Sequence, residues 1–396
     1  MKLLIVSDTP YLQTGLGRVT RELGTRLQSR HQVEIAGWFH PKAVSPSLTN
    51  GFTIHPLATR ELGFETLEPL CRTGGFDAVI GIGDPWYFGY LGQLRWIHRA
   101  RGVNTPWVGY LTIDGDPLPD RFKTFLNAFD RIVCCTEYGR SALSRIEKRR
   151  IEVIPYGVDV EVFKPLDREL IRRQMGLQDA FVVLMDAQNI PRKNLWAALE
   201  AFQLFQPGKS TVLYAFTNID DPNGLMLRDV IQQFDIETRA KIIASMQADA
   251  WSGLDDQSLN VLYNAADVLV LPSMNEGFGL PILQALAVGV MPIGTQYASI
   301  PELIGSYGKT IKPAAYFSSE WGLRCAVIDP QDLADSLAEV YLLWESRRSW
   351  PEAWRQVARE YASRYSWQEM SDRLDAVLGD VCGLTGAESS RVVVEA

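Results

Sequence analysis

Between Asp267 and Gly289 the chain reads DVLVLPSMNEGFGLPILQALAVG, and residues able to do chemistry concentrate there. Glu276 stands at the rim of a loop in which Gly277 and Gly279 flank Phe278 and lead into Leu280-Pro281. Glycines beside a helix N-terminus let the backbone come close to a ligand and direct its N–H groups at oxygen. Gln284 follows eight positions after the glutamate, and the pattern puts it in the first turn of the helix that Pro281 opens. A carboxylate, bare amides and a side-chain amide converging on one point suit a sugar that carries a phosphate. An ordinary strand–loop–helix unit with no ligand would contain the same residue types.

A second cluster is Gln188-Asn189-Ile-Pro-Arg192-Lys193-Asn194, ahead of an apolar-periodic helix that runs to Phe205. Two cations at a helix start oppose the helix dipole unless an anion lies there, so Arg192 and Lys193 are candidate anion ligands. A solvated helix turn is the alternative. A third stretch is the loop Asp8 to Gly17, with Gly15 and Gly17, between an apolar strand at Lys2–Ser7 and a helix at Arg18–Leu27. It lacks the last glycine of the G-x-G-x-x-G dinucleotide fingerprint and is weak as a cofactor motif. Three more loops, Asp84-Pro-Trp86-Tyr87, Asp114-Gly-Asp116 and Thr136-Glu137-Tyr138, leave strand ends with polar or aromatic residues. Each also reads as helix-capping chemistry.

Positioning such residues requires strands that end where the loops begin. Apolar runs recur at Val33–Phe39, Ala78–Gly83, Trp107–Thr112, Ile132–Thr136, Ile151–Tyr156, Phe181–Ala187, Thr211–Thr217, Asp267–Leu271 and Val290–Gly294. Helical patterns lie between most of them, at Leu91–Arg101, Arg168–Met175, Leu259–Ala265, Asp332–Trp344 and Trp350–Tyr365 among others. Such alternation builds doubly wound α/β domains with a parallel sheet, whose functional edge is at the strand C-termini.

Length and composition narrow the class. A chain of 396 residues accommodates two domains of about 150–200 residues each. With 46% apolar and 22% charged residues it is an ordinary globular composition, and a net charge of −8 argues against a polyanionic partner. The five cysteines, Cys71, Cys134, Cys135, Cys325 and Cys382, have no metal spacing and read as reduced thiols, with Cys134 and Cys135 in the core. The opening MKLLIVSD reads as a first strand and not a signal peptide, and no run reaches the roughly 20 apolar residues that span a bilayer. The expectation is a cytoplasmic protein without a stable membrane span.

Glu276-Gly-Phe-Gly-Leu-Pro, followed by Gln284-Ala-Leu-Ala-Val-Gly289, resembles the signature of the family-four (group 1) retaining glycosyltransferases of the GT-B fold. In that family two glutamates eight positions apart bracket the segment, the first contacting the transferred sugar and the second the ribose of the nucleotide. This chain keeps the first as Glu276 and has Gln284 at the second, which can hydrogen-bond a hydroxyl without adding charge. The 188–194 segment resembles the family's donor-phosphate element, an arginine and then a lysine five positions on. Lys193 holds the lysine position, Gln188 stands where the arginine is expected, and Arg192 is displaced from that register. Gly15–Gly17 resembles the glycine loop that reaches the donor phosphates from the opposite domain. Ile154-Pro-Tyr-Gly-Val-Asp159 resembles the interdomain segment, and Ser299-Ile-Pro301-Glu302 the element after the signature. Asp114 stands where many members carry a histidine, and His31, His40, His55 and His98 all fall elsewhere.

The resemblance implies two doubly wound Rossmann-like domains facing a cleft. It places an acceptor domain at 1–160, a donor domain at 161–365, and a helix returning to the first domain from 366, before a frayed tail ending at 396. It further implies transfer of a sugar from a nucleotide-diphosphate sugar to a hydroxyl acceptor, whether a glycan, a lipid-linked or small molecule, or a nucleic acid. Glu276, Lys193, Arg192 and Asp114 would carry catalysis, and Gly15, Gly17, Gln188, Asn189, Gly277, Phe278, Gly279, Leu280 and Gln284 would bind the donor. No cofactor and no metal is implied, since lysine and arginine serve the leaving diphosphate. If Gln284 faces the ribose, Gln284→Glu should tighten nucleotide binding, unless a neighbour rejects a carboxylate. Competing readings are a nucleotide-sugar epimerase on the same fold, a transferase whose acceptor is nucleic acid, suggested by the basic run Arg145 to Arg150, and a relic that only binds.

Overall fold

The computed structural model describes residues 1–39, 47–49, 51–57, 63–207, 210–219, 221–244, 254–346 and 350–383. His40, Asp220 and the tail after Gly383 lie outside these residues. The chain forms two compact units, one from 1–113, 118–156 and the residues from 367 on, the other from 114–117 and 157–366.

The first unit is built on β1 (Lys2–Asp8), β2 (Gln32–Trp38), β3 (Ser47–Thr49), β4 (Phe52–Leu57), β5 (Ala78–Gly83), β6 (Trp107–Leu111), β7 (Arg131–Cys134) and β8 (Ile151–Val153). Their order is β3-β4-β2-β1-β5-β6-β7-β8, parallel throughout except for β3 against β4. Leu3, Leu4, Ile5 and Val6 are wholly buried, as a parallel strand covered on both faces must be. Cys134 and Cys135 are buried here as free thiols. The helix Trp367–Val381 belongs to this unit. Its Asp375 lies 2.6 Å from His31 Nε2, its Asp372 lies 2.8 Å from Arg30 Nη1, and Trp367 stacks on Tyr156.

The glycines near the N-terminus are helical, where the sequence suggests a loop. The helix spans Gly15–Gln28, with Thr14 as its N-cap accepting the Gly17 N–H at 3.1 Å. A Cβ at position 17 would lie 2.2 Å from the Leu12 carbonyl oxygen. Glycine is required there by the chain's own backbone, whatever else approaches.

The second unit carries β9 (Phe181–Asp186), β10 (Thr211–Thr217), β11 (Ala240–Ala244), β12 (Val268–Leu271), β13 (Met291–Thr295) and β14 (Lys309–Ile311). The order is β11-β10-β9-β12-β13-β14, all parallel. A short antiparallel hairpin, β15 (Ala315–Ser318) with β16 (Arg324–Val327), stands apart from this sheet. One core cluster joins Phe181, Val183 and Met185 of β9 to Leu199 and Phe202 of the helix Leu195–Leu204 and to Leu337, Val340 and Trp344 of the helix Pro330–Glu345.

Asp267 precedes β12 instead of opening it, and its buried carboxylate accepts from Arg168, from Arg172 at 3.0 Å and from the Val182 N–H at 2.8 Å. That knot ties the N-terminal ends of β9 and β12 together. Their C-terminal ends are thereby held side by side as well, at the point where strand order reverses from β9-β10-β11 on one side to β12-β13-β14 on the other. In open parallel sheets that reversal leaves a crevice in which ligands bind.

Candidate active site

The two strands flanking the reversal each deliver one loop. After β9 comes 187–190, a single 3₁₀ turn at Pro191–Lys193, and Asn194 at φ +53°, a left-handed conformation that asparagine tolerates. After β12 comes 272–278, and then Gly279 at φ +106° caps the helix Leu280–Val288. At that positive φ a residue with a Cβ is strained. Lys193 thus sits in a turn before its helix, not in the helix's first turn.

These loops bring Lys193, Arg192 and Glu276 together. Lys193 Nζ lies 2.5 Å from Glu276 Oε2, and Arg192 Nη1 lies 3.6 Å from the same oxygen. Arg192 also donates to the Asn275 carbonyl at 3.1 Å, and its own carbonyl accepts from the Met274 N–H at 2.7 Å. The glutamate is 8% exposed. Burial alone would raise its pKa, but the Lys193 and Arg192 charges and the hydrogen bond from Lys193 outweigh that and hold it below the ordinary value. Burial and the neighbouring Arg192 lower the Lys193 pKa, against the attraction of Glu276 and of Asp186. Glu276 is an anion at neutral pH, suited to accepting hydrogen bonds and unsuited to donating a proton.

Ser299 fixes the glutamate's loop from behind. Its hydroxyl proton is shared between the carbonyls of Glu276 at 2.7 Å and Phe278 at 2.6 Å. Phe278 is buried edge-on against Tyr365, and Leu280 is buried behind the loop. The segment 114–117 also joins this unit: Asn275 Nδ2 donates to the Asp114 carbonyl at 3.0 Å and to the Arg324 carbonyl at 2.8 Å. Asp116 keeps company with Tyr297, whose hydroxyl is 3.3 Å from its carbonyl oxygen.

Gln284 is the fifth residue of its helix, in the second turn and not the first. It is 2% exposed and is the one polar side chain of LPILQALAV. Its Oε1 lies 3.2 Å from the hydroxyl of Tyr263, which comes from the helix Asp256–Ala265 and lies 2.7 Å from Asp186 Oδ2 at the end of β9.

Other expected donor ligands lie differently. Asn189 is buried and fully used, its Nδ2 donating to the Leu225 carbonyl at 2.8 Å and its Oδ1 accepting from the Leu225 N–H at 2.9 Å. Gln188 is exposed and reaches Asp221 at 3.3 Å. Gly15 and Gly17 belong to the first unit, and the Gly17 N–H is engaged by Thr14. Of the paired aspartates, Asp255 caps the helix Asp256–Ala265 through the Ser258 N–H. Sequence reasoning did not find Asp186, Tyr263, Asn275 or Tyr297. Asp186 had a signal, a carboxylate closing the apolar run FVVLM, whereas Tyr263 reads as one more apolar position of its helix.

Two parallel-sheet units with this topology are the GT-B architecture. A solved structure of Anabaena HepE in complex with UDP-glucose superimposes with a TM-score of 0.73 over 96% of this chain and 100% of that one, at 15% identity. The sequence model of the glycosyl transferases group 1 matches residues 167–357, and that of glycosyltransferase family 4 matches residues 13–162. Together they take in well over half of the chain, which belongs to the group 1, family-four glycosyltransferases. It is 29% identical over 259 residues to a D-inositol 3-phosphate glycosyltransferase of Saccharomonospora viridis, covering 62% of this chain and 54% of the relative. It is 25% identical over 307 residues to a GDP-mannose-dependent phosphatidylinositol dimannoside mannosyltransferase of Mycobacterium tuberculosis, covering 72% and 70%. The chain spans about half the length of several curated relatives that it matches. Among the described residues, no helix is long and apolar enough to cross a membrane.

Proposed function

We propose that this protein is a retaining glycosyltransferase that moves a sugar from a nucleoside-diphosphate sugar to a hydroxyl acceptor without a divalent metal. The observation that carries this reading is the convergence of Lys193, Arg192 and Glu276 at the reversal of strand order. Similar proteins support a substrate of that class: the M. tuberculosis mannosyltransferase is GDP-mannose-dependent, and Anabaena HepE forms a complex with UDP-glucose.

In the transfer, the bond from the anomeric carbon to the diphosphate oxygen breaks and a bond to the acceptor oxygen forms. The departing phosphate oxygen takes the acceptor's proton, so no separate base is needed. Negative charge grows on the leaving group, and Lys193 with Arg192 meets it. Fixed cations and amides aimed at developing charge are the largest lever in such chemistry. The Gly277–Gly279 backbone supplies amides, Glu276 orients the sugar hydroxyls as an acceptor, and Gln284 faces the ribose. Asp114 binds a sugar or acceptor hydroxyl.

Lys193→Ala should weaken binding of UDP or GDP at least tenfold, about 1.4 kcal/mol, in calorimetry. Unchanged affinity in a folded variant would remove Lys193 from the phosphate site. Hydrolysis and transfer from UDP- and GDP-sugars should survive excess chelator. Activity lost to chelator and restored by magnesium or manganese would overturn the metal-independent mechanism.

A further inference from the structure

Tyr263 has one hydroxyl proton and two acceptors in reach, Asp186 Oδ2 at 2.7 Å and Gln284 Oε1 at 3.2 Å. The ring is fully buried and packs edge-on against Phe163 at 6.1 Å between centroids, which fixes the position of the hydroxyl. A carboxylate at the shorter distance takes the proton, because charge-assisted bonds are about twice as strong as neutral ones. Gln284 can then bond the phenol oxygen only as a donor. Its amide does so after a half-turn that exchanges oxygen and nitrogen, two atoms that differ little in shape.

We infer that Gln284, Tyr263 and Asp186 form one directional hydrogen-bond chain, Gln284 Nε2–H to Tyr263 Oη–H to Asp186, which turns Gln284 Oε1 outward as the acceptor for a ribose hydroxyl. Asp186 is thereby a positioning residue for nucleotide recognition, and it dictates a neutral amide at position 284. The part concerning ribose rests on the donor-site reading above. A glutamate at 284 has no N–H to give and would set a second carboxylate on a hydroxyl already committed to Asp186. The tighter binding that the family resemblance leads one to expect from Gln284→Glu is therefore reversed in sign. Exchanging the carboxylate and the amide between positions 186 and 284 restores a chain running the other way. The new amide at 186 then donates to Tyr263, and Tyr263 donates to the new carboxylate at 284.

The test is a double-mutant cycle on the full chain with Gln284→Glu, Asp186→Asn and the pair together. Denaturant stability and calorimetric affinity for UDP and GDP are both read. Gln284→Glu should lower stability and weaken nucleotide binding at least tenfold. The double variant should regain stability and bind within about threefold of the wild type. A Gln284→Glu chain that folds only alongside Asp186→Asn is the same rescue. Tyr263→Phe, made in both backgrounds, should abolish the coupling. Losses that simply add in the double variant, tighter binding by Gln284→Glu alone, or failure of the double variant to fold would each overturn the chain. Rescue of stability in a protein whose wild type binds neither nucleotide would overturn the ribose assignment, and the donor reading with it, while leaving the chain intact.

Discussion

Lys193 and Glu276 meet at 2.5 Å with both side chains largely withdrawn from water, and Arg192 adds a second cation at the rim. Pairs of this kind are poor evidence of net stabilisation, but removing one partner leaves the other's charge buried, at a cost of about 3 kcal/mol. Glu276→Gln should therefore destabilise the protein by roughly that amount at pH 7. The folded pKa of Glu276 is depressed, so its contribution is complete above the ordinary glutamate value of about 4.3 and is lost as pH falls through the lower folded value. The stability gap between wild type and Glu276→Gln should accordingly narrow below about pH 4. Urea melts of both proteins from pH 7 to pH 3 measure it. A gap constant across that range would show that the glutamate's charge does not hold the pair.

At the scale of elements, two strand–turn–helix units supply the site, and their turns carry its strain. Gly279 at φ +106° starts the helix Leu280–Val288, and an alanine there should cost about 1–2 kcal/mol through its Cβ alone. Ser299→Ala should cost a similar amount, roughly 1–3 kcal/mol, because two loop carbonyls lose a shared donor. Thermal or urea melts check both, and stability equal to the wild type in either would deny that residue a part in holding the loop. These two units were legible in the sequence because an apolar run such as VLVL, a proline near a helix start and a glycine between them report local constraints. The turn of Gln284 was misplaced because the helix starts at Leu280, one residue before the proline that the sequence marks as its opening, which moves Gln284 to the fifth helical position. β4 alternates only over Phe52–His55 before Pro56 interrupts it, and β15, with exposed Tyr316 and Phe317, has no buried apolar alternation to announce it. Tyr263 and Asp186 are far apart in sequence, and only tertiary folding shows that they share a proton.

At the scale of the whole molecule, Lys193, Arg192 and Glu276 all belong to the second unit. The topology explains this: the carboxyl ends of β9 and β12 are adjacent because the Asp267 knot pins their other ends. Ligand binding there should therefore stabilise the second unit by mass action, by about 2.7 kcal/mol at a hundredfold excess of nucleotide over its Kd. The temperature shift depends on how much of the chain melts with that unit, since unfolding entropy is about 2.1 cal/mol/K per residue. All 396 residues in one transition predict a rise of about 3 °C. The second unit melting alone, about 210 residues, predicts about 6 °C, with the transition of the first unit unmoved. Calorimetric scans with and without UDP or GDP distinguish these, and Lys193→Ala should suppress the rise at the same nucleotide concentration. A rise confined to the first unit's transition would place the nucleotide on Gly15 and Gly17 instead, and Lys193→Ala would then leave it unchanged.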